Sequence, residues 1–559
     1  MFPPDPTSKK GFFNERIYVE ALKRYKSIPE LIRKKAEEND RKICLIFQDG
    51  RKYTYAQIDL LSNNIAINLL SRGFKKGNKI AIFALNSPEW ILAYFGILKA
   101  GCIPVTVNTS FVKEPLVYNF QMTDALSVIL DSRLAKNFIN VQLSLSNIQS
   151  VFIIGNSNED TNKIEGNVEN FSNLLNDNIS KNIKIKLPDL TGKDPSAMIL
   201  TSGTTGRSKV VVESNSQFIA TALDMIDAGG VASDSRIYVY LPLFHIMALD
   251  LAIISSILSN STVYLVEKFN PSTFWKDIVG YQITHFHAVG PIFEMLIKQN
   301  PSAEEKQHGT IIAIAYSSRE VWTTAENRFG IKITGGYGGT EAGIPVTSPY
   351  SEVVNGINPP GSCGKATPPY EVAIIDESGF PVVTGAIGEI VIRPKLPWVT
   401  FLEYYKMQKE SLQAFTGLWF HTGDLGKYDN NGYIYFVDRS KDSIRRRGEN
   451  ISSFEVEQTI LKMDGVLEVA VYPVPSNLGE DEVMVALSRN NSELKPENII
   501  EYCLNNMPPY WIPNYIRFLD SLPKTPTGRI EKYKLKNEAV TTDAYHMAEY
   551  IRDRLKNKL

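Results

Sequence analysis

A chain of 559 residues that is 43% hydrophobic and 22% charged has material for several hydrophobic cores, so two or more domains are expected. Its net charge of -1 offers no electrostatic footprint for nucleic acid or a membrane surface, which directs attention to small-molecule partners. The four cysteines, Cys44, Cys102, Cys363 and Cys503, have no ligand-like spacing; this argues against a zinc site and for free thiols in a reducing cytoplasm. The opening Met-Phe-Pro-Pro-Asp-Pro has neither a basic region nor an apolar core, so no signal peptide is expected. No stretch reaches the roughly 18 apolar residues of a spanning helix, because the best candidate, 246–258, is interrupted by Asp250 and two serines.

In chain order, residues 28–112 read as helix, strand, helix, strand, helix. Within them Ile80-Ala-Ile-Phe-Ala-Leu85 is a buried-strand run, and 89–100 reads as an apolar helix stopped by Gly101. Such alternation implies a largely parallel sheet. Residues 156–185, dense in Asn, Asp and Ser, read as a mobile surface excursion. The alternation resumes from 197 to about 335, gives way after 370 to short strands such as Val372–Ile375 and Gly388–Ile392, and returns as a compact αβ pattern from about 442. Glu468–Tyr472 and Glu482–Leu487 are strands of that last part, and 541–559 reads as a charged amphipathic helix.

Four stretches carry chemistry. The first is Thr201-Ser-Gly-Thr-Thr-Gly-Arg-Ser-Lys209, directly after the strand Ala197–Leu200. Gly203 and Gly206 let successive N–H groups converge on an anion, while Ser202, Thr204, Thr205 and Lys209 add donors and charge. An ordinary polar turn has the same composition, and the stretch is not a Walker A loop, because Arg207 and Ser208 precede the lysine and Val210 follows it. The second is Tyr337-Gly-Gly-Thr-Glu341, preceded by Gly335-Gly336. Its aromatic suits a purine and its carboxylate a magnesium ion, although a core tyrosine beside a turn would look alike. In the third, Trp419-Phe-His-Thr-Gly-Asp424 with Asp438-Arg439, an aspartate can accept two ribose hydroxyls or merely cap a turn. The fourth is Pro523-Lys-Thr-Pro-Thr-Gly-Arg-Ile-Glu-Lys532, a basic loop.

In this order and spacing the four stretches resemble the adenylate-forming superfamily of acyl-CoA synthetases, luciferases and peptide-synthetase adenylation domains, over roughly residues 28–540. Thr54-Tyr55, Asn86-Ser-Pro-Glu89, Lys99-Ala-Gly101, Leu241-Pro-Leu-Phe-His245 and Gly388-Glu389 fit the same pattern. Lys441-Asp-Ser-Ile-Arg-Arg-Arg-Gly-Glu-Asn-Ile451 more narrowly resembles ligases of the carnitine/crotonobetaine and diterpenoid-acid type.

The resemblance implies an α/β fold. A large N-terminal domain (1–440) of αβ subdomains with a small β-rich subdomain would precede a small, mobile α+β lid (441–540) and a helical tail (541–559). It implies ATP, Mg²⁺ and coenzyme A acting on a small carboxylic acid in the cytoplasm, without nucleic acid or integral membrane association, and it allows a homodimer. Thr201, Ser202, Gly203, Thr204, Thr205, Gly206 and Lys209 would hold phosphates, with Tyr337 and Gly338 at adenine and Thr340 at the α-phosphate. Thr204 and Glu341 would hold the metal, and Asp424 and Arg439 the ribose. His245, Gly335, Gly336 and Gly339 would border the acyl group, Lys441 would be the hinge, and Gly448 and Glu449 would line the thiol tunnel. Lys209, His245, Glu341, Arg529 and Lys532 make up the catalytic set.

Four positions depart from the pattern. Ser208 and Val210 replace the usual Pro and Gly around the loop lysine, Asp438 replaces a common glycine, and Arg529 stands where most relatives carry the catalytic lysine. Lys532 and Lys524 are the other cations within reach of that role. The expected activity is formation of acyl-AMP followed by transfer to coenzyme A. Delivery to a carrier protein is one alternative, although no carrier domain is evident after 540; a non-catalytic acyl or nucleotide binder is the other.

Overall fold

The computed structural model describes residues 13–176, 186–201, 209–439, 444–446, 449–475, 481–525 and 528–558. They form two compact units. The first takes the chain up to Thr201, from Lys209 to Val372 and from Ile392 to Phe420; the second takes Ala373–Val391 and the chain from His421 onward.

Two large sheets build the first unit. One has eight strands in the order Glu403–Tyr404, Val210–Ser214, Pro195–Leu200, Ile103–Thr106, Lys79–Phe83, Ala125–Asp131, Ser150–Ile154 and Asn167–Asn170. It is parallel from Pro195–Leu200 outward and antiparallel at the other edge. The other runs Lys332–Thr334, Ile312–Tyr316, His285–Val289, Arg236–Val239, Thr262–Leu265, Ile43–Phe47 and Lys52–Thr54, parallel except for the last pair. The central strand Lys79–Phe83 is buried at all but its first residue, as the apolar run from Ile80 requires. The helix that follows, Pro88–Lys99, begins with Ser87 accepting from the Trp90 N–H and ends before Gly101, whose φ of +72° suits glycine. Even Lys99 is buried on this helix, its ammonium 2.6 Å from Asp59 Oδ1 and 2.8 Å from Asn63 Oδ1.

The helix Asn215–Gly229 is buried at every residue and packs against both sheets and several helices. It carries Asp224 and Asp227, and two further carboxyls lie buried nearby in the chain fold, Glu213 on the preceding strand and Asp250. Burial, first among the causes, pushes Glu213, Asp224 and Asp250 well above the usual carboxylate range. The Tyr18 hydroxyl donates to Asp224 Oδ1 at 2.8 Å, and the Phe13 N–H donates to Asp227 Oδ2 at 2.7 Å.

The second unit contains a four-stranded sheet, Val466–Pro475, Asp481–Arg489, Tyr515–Phe518 and Tyr545–His546 in that order. Its faces alternate strictly. Val469, Val471, Val483 and Val485 pack with Val456, Ile460, Ile499 and Ile500 of two helices, while Ala470, Tyr472, Met484 and Ala486 pack with Leu535.

Two sequence expectations need correction. In the supposed excursion at 156–185, Asn167–Asn170 is an edge strand and Ser172–Leu175 a helix, because Phe171 and Leu174 are buried; residues 177–185 lie outside the described ones. The tail helix spans only Ala548–Lys558, since Tyr545–His546 first pairs with the strand Tyr515–Phe518. The apolar stretch around Asp250 is helical, with a wide π register over Leu249–Ile254.

The Asp227 carboxyl is held at about 7 by burial, partly offset by the Phe13 N–H. A raised carboxyl makes the folded state bind more protons than the unfolded one, so stability is full below an unfolded value near 4 and falls as pH rises through about 7. Asp227→Asn should flatten that fall, by at most about 4 kcal/mol, in urea titrations between pH 5 and 8. An unchanged slope would show that Asp227 does not titrate in this window.

Candidate active site

The strands Pro195–Leu200 and Val210–Ser214 pair antiparallel, with Leu200 opposite Val210, so the two ends of the hydroxyl-rich stretch, Thr201 and Lys209, lie side by side. They are joined by the Thr201 N–H donating to the Lys209 carbonyl at 3.0 Å. Residues 202–208, with Ser202, Gly203, Thr204, Thr205 and Gly206, lie outside the described ones, as do Lys441 and Gly448.

The Lys209 ammonium sits 4.2 Å from the ring centre of Tyr404, and the Tyr404 hydroxyl donates to Glu341 Oε1 at 3.0 Å. Lys209, Tyr404 and Glu341 therefore form one connected cluster of cation, aromatic and carboxylate. Tyr404 was not foreseen. It stands in a two-residue strand that pairs with Val211 and Val212, and nothing in the surrounding letters marks it. Burial, with the Glu341 charge second, raises its hydroxyl pKa, so Tyr404 remains a donor.

Gly336–Gly339 is a short strand paired with Gly343–Thr347, with half-buried Tyr337 opposite Val346. A side chain at Gly335 would strike the Ser362 carbonyl at 2.1 Å, and one at Gly338 the Gly343 carbonyl at 1.9 Å. These two glycines are thus explained by backbone approach alone. Gly339 leaves Glu341 Oε2 3.6 Å from its missing Cβ, whereas Gly336 has ordinary clearance. The Thr340 carbonyl accepts from Gln217 Nε2 at 2.8 Å, which fastens the motif to the buried helix.

His245 caps the helix Ile246–Ala248, its Nδ1 accepting from the Met247 N–H at 3.3 Å. The preceding Leu241–Phe244 segment is held from outside. Asn86 donates to the Leu241 and Val266 carbonyls and accepts from the Leu243 N–H, and the Thr106 hydroxyl donates to the Phe244 carbonyl. This gives Asn86 a structural duty.

In the second unit, Asp424 lies opposite Arg439 across an antiparallel pair, with Arg439 Nε 3.1 Å from Asp424 Oδ1. Asp424 is 8% exposed. Its N–H donates to Thr422 Oγ1, the Thr422 hydroxyl donates to the Ile390 carbonyl, and Glu389 takes the Gly423 N–H at 2.9 Å and lies 2.8 Å from His421 Nδ1. Gly388-Glu389 is therefore the brace of the Asp424 segment. Asp438 accepts from the Arg439 N–H at 2.7 Å and from the Ser453 N–H at 2.6 Å, so a carboxylate caps the helix Ser453–Ile460 from the neighbouring strand.

The loop at 524–530 closes on itself through the Thr525 N–H to the Arg529 carbonyl, 2.6 Å, and the Arg529 N–H to Thr525 Oγ1, 3.0 Å. Arg529 is exposed. Protein packed around the guanidinium first, and repulsion from Arg439 second, lower its pKa even though the side chain remains open to water, while Asp424 draws it the other way. A guanidinium keeps its proton through such a shift. The two lysines considered beside it are committed elsewhere. Lys524 pairs with Glu468, and Lys532 lies 2.8 Å from Glu457 Oε1 and 2.6 Å from Ser453 Oγ. Burial raises the Glu457 carboxyl to about 7, with Lys532 opposing. Glu449 lies in the strand Glu449–Ile451.

Among the described residues, no group of three or more His, Cys, Asp or Glu could hold a metal by itself, no helix is long and apolar enough to cross a membrane, and all four cysteines are buried.

The comparisons with known proteins agree with this arrangement. Residues 32–405 match the model of the AMP-binding enzyme family, and residues 455–529 match that of the AMP-binding enzyme C-terminal domain. The crotonobetaine/carnitine–CoA ligase of Citrobacter koseri is 27% identical over 513 residues, covering 90% of this chain and 97% of that one. Its counterpart from Shigella dysenteriae is 27% identical over 491 residues, covering 87% and 93%. Among solved structures, the anthranilate CoA ligase AuaEII in complex with anthranoyl-AMP is similar with a TM-score of 0.80 at 24% identity, covering 92% of this chain and 97% of that one. ATP-bound MatB from Rhodopseudomonas palustris gives 0.78 at 22%, covering 91% and 98%. MenE from Bacillus subtilis, in complex with ATP and magnesium ion, gives 0.76 at 23%, covering 91% and 98%. The chain belongs to the AMP-binding enzymes of the adenylate-forming superfamily, and it is an AMP-forming acid–thiol ligase of the acyl-CoA synthetase type.

Proposed function

We propose that this ligase activates a small carboxylic acid with ATP and transfers it to coenzyme A, with Arg529 in the role that a lysine fills in relatives. The observation that carries the reading is the Asp424–Arg439 pair, 3.1 Å apart across adjacent strands, with Arg529, from a later loop of the same unit, interacting electrostatically with both. In the first half-reaction a carboxylate oxygen attacks the α-phosphorus of ATP, the bond to the bridging oxygen breaks, and pyrophosphate leaves. In the second, a thiolate attacks the acyl carbonyl and AMP leaves.

Asp424 is suited to accept ribose hydroxyls, because Thr422 and Glu389 fix the backbone at and before it and Arg439 pairs with one of its oxygens. Arg529 has a planar fork that engages carboxylate and phosphate oxygens together, offsetting the repulsion between two anions. Lys532 is a poor candidate for this task. Moving it would strip a buried carboxylate of its counter-ion.

The residues of the first unit fit a magnesium–triphosphate. One carboxylate, Glu341, is oriented by Tyr404 beside the Lys209 charge, and magnesium commonly takes one or two protein carboxylates plus substrate phosphates. When bound, the ion neutralises phosphate charge. Tyr337, Gly338, Thr340, Thr201 and the 202–206 stretch keep the adenine and phosphate roles that the family pattern gives them, with Thr204 as a second metal contact. His245, Gly335, Gly336 and Gly339 keep the acyl boundary, Lys441 the hinge, and Gly448 and Glu449 the thiol tunnel.

Pyrophosphate release measured with and without coenzyme A over a panel of carboxylates tests the whole reading. Release that coenzyme A neither accelerates nor converts to thioester would point to a different acceptor, and no release from any acid would overturn the enzyme assignment in favour of a binder.

Arg529→Ala should slow acyl-AMP formation by about 10²-fold or more, by analogy with the loss of one preorganised donor, and should largely spare thioester formation from preformed acyl-AMP. If rapid quench instead finds adenylation intact in Arg529→Ala and lost in Lys532→Ala with its fold preserved, the role passes to Lys532. Asp424→Ala should weaken ATP binding by roughly 10- to 150-fold, as expected for charge-assisted hydrogen bonds. Calorimetry returning the parent affinity from a folded protein would remove Asp424 from the ribose.

A further inference from the structure

His287 is 3% exposed in the strand His285–Val289, and among the described residues neither of its ring nitrogens has a hydrogen-bond partner. Its neighbour His285 on the same face is satisfied, with Nε2 2.8 Å from the Gly229 carbonyl and Nδ1 2.7 Å from the Thr284 hydroxyl. The contrast matters, because a buried unsatisfied donor or acceptor is costly and uncommon in a native fold.

The imidazole lines a gap shared with Val239, Tyr240, Met247, Ala248 and Ala252. That gap is too narrow for a water molecule to occupy. Whatever serves the ring must therefore enter by displacing a side chain, and Met247, half-buried and unbranched, is the one that yields most easily. Ala252 belongs to the π-register turn Leu249–Ile254, a form of helix that concentrates at functional sites. Met247 and Ala248 stand two and three residues beyond His245, so the gap adjoins the segment that the proposed function puts at the acyl group.

The chemistry of the gap narrows what could enter. Burial holds the His287 pKa down at about 3, so the ring is neutral, with one donor and one acceptor. Neither a lysine, an arginine nor a carboxylate lines the gap, so it offers nothing to a charged group. A hydroxyl can pair with either ring nitrogen, whichever tautomer is present, whereas a hydrocarbon leaves both unmet.

We propose that His287 determines substrate specificity by hydrogen-bonding a hydroxyl on the acid, so that the substrate is a hydroxylated carboxylic acid and not a plain hydrocarbon one. This rests on the reading of the His245 segment as the acyl boundary. A site built to hold a hydroxyl discriminates against its hydrogen analogue because its own polar groups are then left unpaired.

The test compares pyrophosphate release from matched acids, aliphatic and aromatic, of equal size with and without a hydroxyl at each successive position. The parent should favour at least one hydroxylated member by about 10- to 100-fold in kcat/KM. His287→Leu should bring that ratio to within about threefold by losing the hydroxylated acid and keeping its analogue. The ratio is read within one preparation, so a smaller folded fraction does not move it. Should His287→Leu fail to fold, His287→Gln, which keeps a donor and an acceptor at a different height, must shift the preferred hydroxyl position. A parent that treats every pair alike, or a ratio unmoved by substitution, overturns the assignment of His287 and leaves the ligase reading standing. No pyrophosphate from any acid overturns both.

Discussion

A helix that is buried on every side must find partners for its own polar side chains, and the large unit is arranged around that requirement. Asn215–Gly229 carries Asn215, Gln217, Asp224 and Asp227 into the interior. Asn215 takes the Ile28 N–H and donates to the Asp194 carbonyl, tying the first helices and the start of the strand Pro195–Leu200 to one point. Gln217 reaches the Thr340 carbonyl, and Asp224 and Asp227 hold Tyr18 and the Phe13 backbone. Each such bond contributes only about 1 kcal/mol net, but losing one partner leaves a buried polar group unpaired at a larger cost. The penalty for error, more than the gain from each bond, is what defines a single position for the Tyr337–Glu341 segment.

The smaller unit uses the same device with buried carboxylates. Asp424 is aimed by hydrogen bonds to its own N–H and that of Gly423 before it, and the carboxylate of Glu389 secures both His421 and Gly423. Asp438 and Glu457 fix the helix Ser453–Ile460 at its start and along its buried face. Charges that hold the frame are thus paired or buried, while Arg529 is exposed on a loop closed by its own backbone. A loop of that kind suits a group that acts on something brought to it.

Much of this was legible in the letters, for reasons that can be named. The Ile80–Leu85 run and the stop at Gly101 were readable because a doubly covered parallel strand has to be apolar and a helix ending in the left-handed region favours glycine. The Asp424 and Arg529 stretches were readable as ordered motifs. The excursion at 156–185 was misread because composition speaks for the average residue, and two buried side chains, Phe171 and Leu174, suffice to fold a polar stretch onto an edge. Tyr404 and His287 were invisible. One acts through a contact with Glu341, 63 positions away, and the other is distinguished only by what surrounds its ring.

The four cysteines have a consequence for an enzyme that makes a reactive acyl group and passes it to sulfur. All are buried and unbridged, and burial pushes Cys44, Cys102 and Cys503 up to about 12. Thiols so held are neither ionised nor reachable, and only the thiolate is nucleophilic. Cys44, Cys102 and Cys503 therefore do not compete with the incoming acceptor for the activated acid, and none of the three drains the product into an internal thioester.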